Sequence, residues 1–321
     1  MLRLVSTLLL VLLALGSAGC LTVNLFGPRP SPLRETVVFG EGRPKIVLVD
    51  VDGILSERPE LPGLLGRGAR ESLVARVREQ LERAADDEDV VALLLRIHSA
   101  GGTASASEIL YREIERVKQE RSLPVVAQLM GLATSGGYYV AMSADRVQAY
   151  PTTVTGSIGV IFTGINVSGT LEKVGAHDQT LVTGPFKDAG SPLRPMRPEE
   201  RAQLESVLGD LFQRFLDVVD GGRPALDRPR IETLADGRIY SAQQALAAGL
   251  VDAIGDLEQA VGEARELAEV EEASVVIYHR EGELPENLFS LASVASAPRT
   301  GFEALLGAEP GFLYLWAPGR R

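Results

Sequence analysis

The sequence predicts an α/β fold organised around a largely parallel β-sheet built from βαβ units. Short apolar runs suited to buried strands alternate with longer stretches of helical apolar spacing. In addition, 33 glycines against 5% aromatic residues suit turns and strand-to-helix corners better than a helical bundle. A length of 321 residues allows one large domain or two small ones. The expected strands are KIVLVDV (45–51), VVALLLRIH (90–98), PVVAQLM (124–130), RVQAY (146–150) and one near SIGVIF (157–162). Between them, helices over 69–85 and 105–119 repeat apolar residues at helical spacing, including Leu73, Val74 and Val77, then Ile109, Leu110, Ile114 and Val117. Pro198, with Glu199 and Glu200 behind it, opens a helix that runs to about Val219, its acids complementing the dipole. Ser241 caps a short helix that stops at Gly249. No internal repeat of solenoid period is present.

The boundaries follow from composition. Residues 1–20 carry Arg3, an apolar run from Leu8 to Leu15 and then small residues, the layout of a secretory signal. The run is short for a membrane span, which needs roughly 20 apolar residues. Cys20, the only cysteine, follows Ser17, Ala18 and Gly19 and resembles the end of a lipobox, which makes it the expected lipidation site. An uncleaved anchor and an ordinary cleaved signal are the alternatives, and all three place the domain outside the cytoplasm. Residues 21–44 read as a Gly- and Pro-rich linker, 45–280 as the folded domain and 281–321 as a tail. The tail ends in an apolar FLYLW (312–316) suited to docking on the body or a neighbour, or to remaining free.

Charge and cysteine count exclude several classes. A formal charge of -11 with no Lys/Arg block leaves no phosphate-backbone footprint, so no nucleic-acid partner is expected. One cysteine and three histidines without an H-E-x-x-H pattern leave no disulfide framework, and neither metal nor cofactor is expected. Only four of the 32 basic residues are lysine: Lys45, Lys118, Lys173 and Lys187.

Two buried strands end in similar turns, one at Ser99-Ala100-Gly101-Gly102 and one at Thr134-Ser135-Gly136-Gly137. In an open parallel sheet both lie at the carboxyl edge, where ligands bind. Ser135 sits at a strand-to-helix corner and fits either of two roles: an N-cap, or a nucleophile with the Gly136 amide as oxyanion donor. Activation by histidine has His98, at a strand end, as its best candidate among His98, His177 and His279. Activation by a neutral lysine has Lys187, which lies in an irregular Gly- and Pro-rich segment beside Phe186. The neighbouring Asp188 opposes deprotonation unless it points elsewhere. The other three lysines read as solvated surface.

SAGG (99–102), TSGGYYVAMSADRVQAYPTTVTGSIGVI (134–161) and GPFKDAGSPLRPM (184–196) resemble the short, single-domain signal peptide peptidase A family, within the Clp protease/crotonase superfamily. The resemblance covers about residues 45–270 and implies a Clp protease/crotonase-like fold. It implies Ser135 as nucleophile, Lys187 as general base, Ser157 as the serine that orients the lysine, and the amides of Gly101 and Gly136 as the oxyanion hole. Ala100 and Thr134 depart from the Pro and Ala usual at those positions. Further implications are a ring of identical subunits with serine and lysine from neighbouring copies, and hydrophobic peptides such as signal-peptide remnants as substrates. Peptides would bind as an added strand beside the glycine turn. The expectation is therefore a serine endopeptidase of the bacterial cell envelope, anchored to the membrane with its catalytic domain on the periplasmic side. A tethered, non-catalytic peptide-binding scaffold is the alternative, and acyl-CoA chemistry is disfavoured by the secretory signal.

Overall fold

The computed structural model describes residues 31–59, 71–283, 285–290 and 312–316. The expected signal segment, Cys20, linker residues 21–30 and tail residues 291–311 lie outside the described residues.

Among the described residues the strands form one sheet with a central order β1-β10-β2-β3-β4-β5-β9. In this order β1 is Arg34–Phe39, β2 Lys45–Leu55, β3 Val90–Thr103, β4 Val125–Thr134, β5 Arg146–Ala149, β9 Ala253–Ile254 and β10 Ser274–His279. All neighbours on that path pair parallel except β1 with β10. Helices α1 (Leu73–Asp86) and α2 (Ala104–Arg121) are the crossovers between β2, β3 and β4, which gives the expected βαβ units. Four short strands extend the sheet at its carboxyl end: β6 (Val154–Gly156), β7 (Ile161–Phe162), β8 (Ile239–Ser241) and β11 (Phe312–Leu315).

The central strands are nearly continuous apolar runs because both faces are covered. On one face Val47, Val49, Val51, Leu93, Leu95, Ile97, Val125 and Ala127 pack against α1, α2 and α5 (Pro198–Gly222). On the other, Ile46, Leu48, Ala92, Leu94 and Val126 lie under α8 (Leu257–Leu267). Each large aliphatic side chain taken out of water contributes about 1.5–3 kcal/mol, which makes this sheet a rigid platform for its loops. Four shorter helices follow β4: α3 (Gly136–Ala141), α4 (Ser168–Lys173) and, beyond α5, α6 (Arg228–Leu234) and α7 (Ala242–Ala248). No helix among the described residues is long and apolar enough to cross a membrane.

The structure corrects two local expectations. Residues 34–39, placed in the linker, form the edge strand β1 against β10, since the β-branched TVV run needs only one partner. Of the strand expected over 157–162 only Ile161–Phe162 (β7) is strand, with β6 ending at Gly156 before it. Gly156 at φ +84° and Ser157 at φ +51° turn the chain out of the ladder between them. Of the alternatives open for the tail, Phe312–Leu315 takes docking on the body, as a strand of the sheet.

Candidate active site

Parallel pairing of β3 with β4 brings both glycine turns to one edge, with Ser99 opposite Ala133 at the end of the ladder. Ser135 occupies the N-cap position of α3 but makes no capping hydrogen bond, which removes the purely structural role open at the sequence level. Its backbone sits at φ 52°, ψ -115°, a conformation that costs a non-glycine residue about 1–3 kcal/mol. Two hydrogen bonds hold it there: Ser135 N–H donates to Gly156 C=O at 2.7 Å, and Ser135 C=O accepts from Tyr139 N–H at 2.8 Å. Strain retained on a buried serine at a strand-to-helix corner is what a presented nucleophile requires.

The same edge collects Ser157. β4 and β6 run parallel with Thr134 opposite Gly156 as the last pair, so Ser135 and Ser157 each follow directly on the end of that ladder. Thr155 Oγ1 donates to Ala133 C=O at 2.6 Å, and Ser157 N–H donates to Arg238 C=O at 2.7 Å. Gly136 packs on Gly101: a Cβ at Gly136 would lie 3.1 Å from the Gly101 Cα. Ser135, Gly136, Gly101 and Ser157 thus lie at one edge of the sheet.

The Gly101 amide donates to Ser99 Oγ at 3.0 Å, and Ser99 Oγ in turn donates to Gly53 C=O at 2.5 Å. This commits the Gly101 hydrogen to the turn. Beside the turn lies β11, antiparallel to β3 with Tyr314 opposite Gly102, and Trp316 N–H donates to Ala100 C=O at 2.9 Å. Antiparallel bonding alternates along the ladder, so Gly102 is the residue whose N–H addresses the Tyr314 carbonyl. On its other side β11 pairs with β7, Phe312 opposite Phe162 and Leu313 opposite Ile161. The chain's own tail therefore lies as the added strand expected of a peptide. Gly102 was not singled out in the sequence, where both glycines of the turn look alike.

The Tyr314 ring is buried in an aromatic pocket. It stacks on Tyr139 with centroids 5.1 Å apart, lies 4.8 Å from Phe215, and its hydroxyl donates to Leu211 C=O at 2.8 Å. The pocket wall is anchored through Glu108, which accepts from the Tyr139 hydroxyl and, at 3.0 and 3.1 Å, from Arg214. Burial opposes ionisation of Glu108, but the hydrogen bonds from Arg214, Tyr139 and Arg112 win and hold its carboxyl below the usual range. The tail's apolar FLYLW was the only sequence signal for this pocket.

Gly101, at φ +100°, leaves no room for a side chain, since a Cβ there would stand 1.9 Å from the Tyr314 carbonyl oxygen. Gly101→Ala is therefore expected to block any strand seated along the turn. In a peptide-binding assay it should weaken affinity at least tenfold, and unchanged affinity would show that peptides bind elsewhere.

Lys187 is exposed between two turns, its N–H donating to Gly184 C=O at 3.1 Å. Among the described residues its ammonium makes no hydrogen bond or ion pair, and none joins it to Ser135 or Ser157. Two of the other lysines are paired with carboxylates, contrary to their reading as solvated surface. Lys45 lies 2.8 Å from Asp87 and 3.0 Å from Glu35, with its pKa raised chiefly by the Asp87 hydrogen bond. Lys118 lies 2.8 Å from Asp145. Lys173 is exposed at the end of α4. His98 lies with its Nδ1 3.5 Å from Asp52 and projects to the sheet face opposite Ser99, away from the glycine turn. No group of three or more His, Cys, Asp or Glu among the described residues could hold a metal ion.

Residues 117–271 match the model of peptidase family S49. A protein of Enterococcus faecium named as signal peptide peptidase SppA is 34% identical over 244 residues, 76% of this chain and 70% of the relative. A protein of Synechocystis sp. named as a protease is 36% identical over 203 residues, 63% of this chain and 70% of the relative. The chloroplastic serine protease SPPA of Arabidopsis thaliana is 30% identical over 230 residues, 71% of this chain and 33% of the relative. The matched span 117–271 contains Ser135, Ser157 and Lys187, whereas the glycine turn and β11 lie outside it.

Proposed function

Because the chain belongs to the S49 peptidase family, together with signal peptide peptidase SppA, we propose that it is a membrane-associated serine endopeptidase with a Ser135/Lys187 dyad. Its proposed substrates are hydrophobic peptides such as cleaved signal peptides. The observation that carries this reading is Ser135: a buried serine in a strained backbone, unused as a helix cap, beside two close-packed glycine turns.

In this mechanism neutral Lys187 takes the Ser135 proton as Oγ attacks the peptide carbonyl. The amides of Gly136 and of the 101–102 turn receive the oxyanion. The resemblance implies Gly101 as one donor, which requires its N–H to leave Ser99 Oγ; Gly102, whose N–H faces the carbonyl of a strand seated on the turn, is the alternative donor. Lys187 then protonates the leaving amine, and water hydrolyses the acyl-enzyme. Ser157 orients the lysine. The aromatic pocket that accepts Tyr314 suits a bulky apolar side chain, and the seating of β11 supports recognition of substrate as an added strand.

The exposed position of Lys187 fits a homo-oligomer in which a neighbouring copy supplies the lysine to Ser135. Exposed apolar residues on the same stretch, Val174, Leu181 and Phe186, are suited to such a contact. Lipidation at Cys20 would keep the site beside the membrane, on the periplasmic side of the cell envelope.

A fluorophosphonate probe applied to the full chain tests the reading. Covalent labelling at Ser135, lost in Ser135→Ala, is expected. A wild-type protein that binds peptides and stays unlabelled would instead be a tethered binding scaffold.

A further inference from the structure

The loop that presents Lys187 is held from both sides by charged groups, Arg194 within it and Arg197 and Glu200 at the start of α5. Glu200 is fully buried, and its carboxylate accepts hydrogen bonds from Arg194 and Arg197, including one at 2.9 Å from Arg194 Nη1. Arg194 also grips Asp188, the residue after Lys187, with Nε 2.8 Å and Nη2 2.7 Å from its two carboxylate oxygens. A further bond of 3.3 Å runs from Arg194 Nη2 to the Asp188 backbone carbonyl. Arg197 reaches the other side of the lysine by donating to the Pro185 carbonyl. The loop between these holds is closed by Lys187 N–H to Gly184 C=O at 3.1 Å and Ser191 N–H to Asp188 C=O at 2.9 Å. Gly190 rests against the uncharged ring of Phe162 from β7.

We propose that Arg194, seated on buried Glu200, is a positioning residue for Lys187: it fixes the loop from which the lysine projects and keeps the Asp188 carboxylate turned away from the ammonium. The inference rests on Lys187 being the general base. Its physical logic is electrostatic. A carboxylate within reach of the ammonium favours the charged form by about 1–3 pH units, whereas a base must be neutral near the working pH. The sequence sets Asp188 beside Lys187, and the structure diverts it into a bidentate pair with a guanidinium. The charged groups around the loop are Asp188 and Arg194 within it and Arg197 and Glu200 at the start of α5. Asp188 is held below the usual carboxylate range by its hydrogen bond from Arg194 and is available as an anion at neutral pH.

The test is the pH profile of kcat/KM for a fluorogenic peptide, measured with Arg194→Gln, Arg194→Lys, Asp188→Asn and Arg194→Gln/Asp188→Asn. Arg194→Gln frees Asp188 and is expected to move the acid-side midpoint, where activity rises with pH as Lys187 loses its proton, up by about one unit, lowering the rate near neutral pH about tenfold. Removing Asp188 in the double variant should return the midpoint to the wild-type value. Arg194→Lys, which keeps a cation beside Asp188, should do the same even where the loop is less stable. An Arg194→Gln protein with lowered thermal stability and a wild-type midpoint would overturn the proposal, leaving Arg194 a structural residue. Lys187→Ala measured alongside separates the premise: full activity there would remove Lys187 as base, whatever Arg194 does.

Discussion

Lys187→Ala is expected to lower peptide hydrolysis by about a thousandfold or more, and Ser135→Ala by at least as much, because a nucleophile and its base act as a unit. Lys187→Arg should fare no better. A guanidinium keeps its proton at any working pH, so it retains the charge and length of lysine and loses the function. The fold should hardly register the change. Lys187 is exposed and makes no ion pair among the described residues, so its replacement belongs with surface substitutions, within about 0.5 kcal/mol. Steady-state hydrolysis together with thermal melting checks both halves of the expectation. Mixing the two inactive variants adds a sharper result. If serine and lysine come from different copies, assemblies containing both variants regain activity at boundaries where an intact serine meets an intact lysine. Full activity in Lys187→Ala alone would dispose of the dyad.

The second large effect concerns the tail. β11 occupies the strand position beside Gly101 and Gly102, so it competes with any peptide that must bind there. Tyr314→Ala removes the buried ring that seats the strand among Tyr139 and Phe215, at a cost to the docked state of about 1.5–3 kcal/mol. That raises the open population by roughly tenfold to a hundredfold, and kcat/KM for an added peptide should rise by about tenfold or more. β11 pairs only with β3 and β7 among the described strands, so the main sheet should melt as before. A variant with unchanged kcat/KM and a lowered melting temperature would make β11 an ordinary part of the fold.

The fold was readable in the sequence where burial is two-sided. KIVLVDV, VVALLLRIH and PVVAQLM are continuous apolar runs because helices cover both faces of β2, β3 and β4. The signal fails at the margins. β1 and β7 are short or lie at an edge, and β11 is separated from its partners in β3 by some 200 residues of chain, so no local period announces the pairing. Ser135 was placed at its corner correctly, but sequence could not choose between cap and nucleophile. The structure adds a positive φ and a missing capping bond at Ser135, which support the nucleophile reading. The removal of Asp188 from Lys187 depends on Arg194, which nothing in the local sequence pairs with it.

The most direct test of the account is mass spectrometry of the products formed from a mixture of signal peptides by the wild-type protein and by Ser135→Ala. The account predicts cleavage within the apolar segments of the peptides by the wild type, with bulky apolar residues recurring beside the cut, and none by Ser135→Ala. Intact peptides with the wild type, or the same fragments with Ser135→Ala, would contradict it.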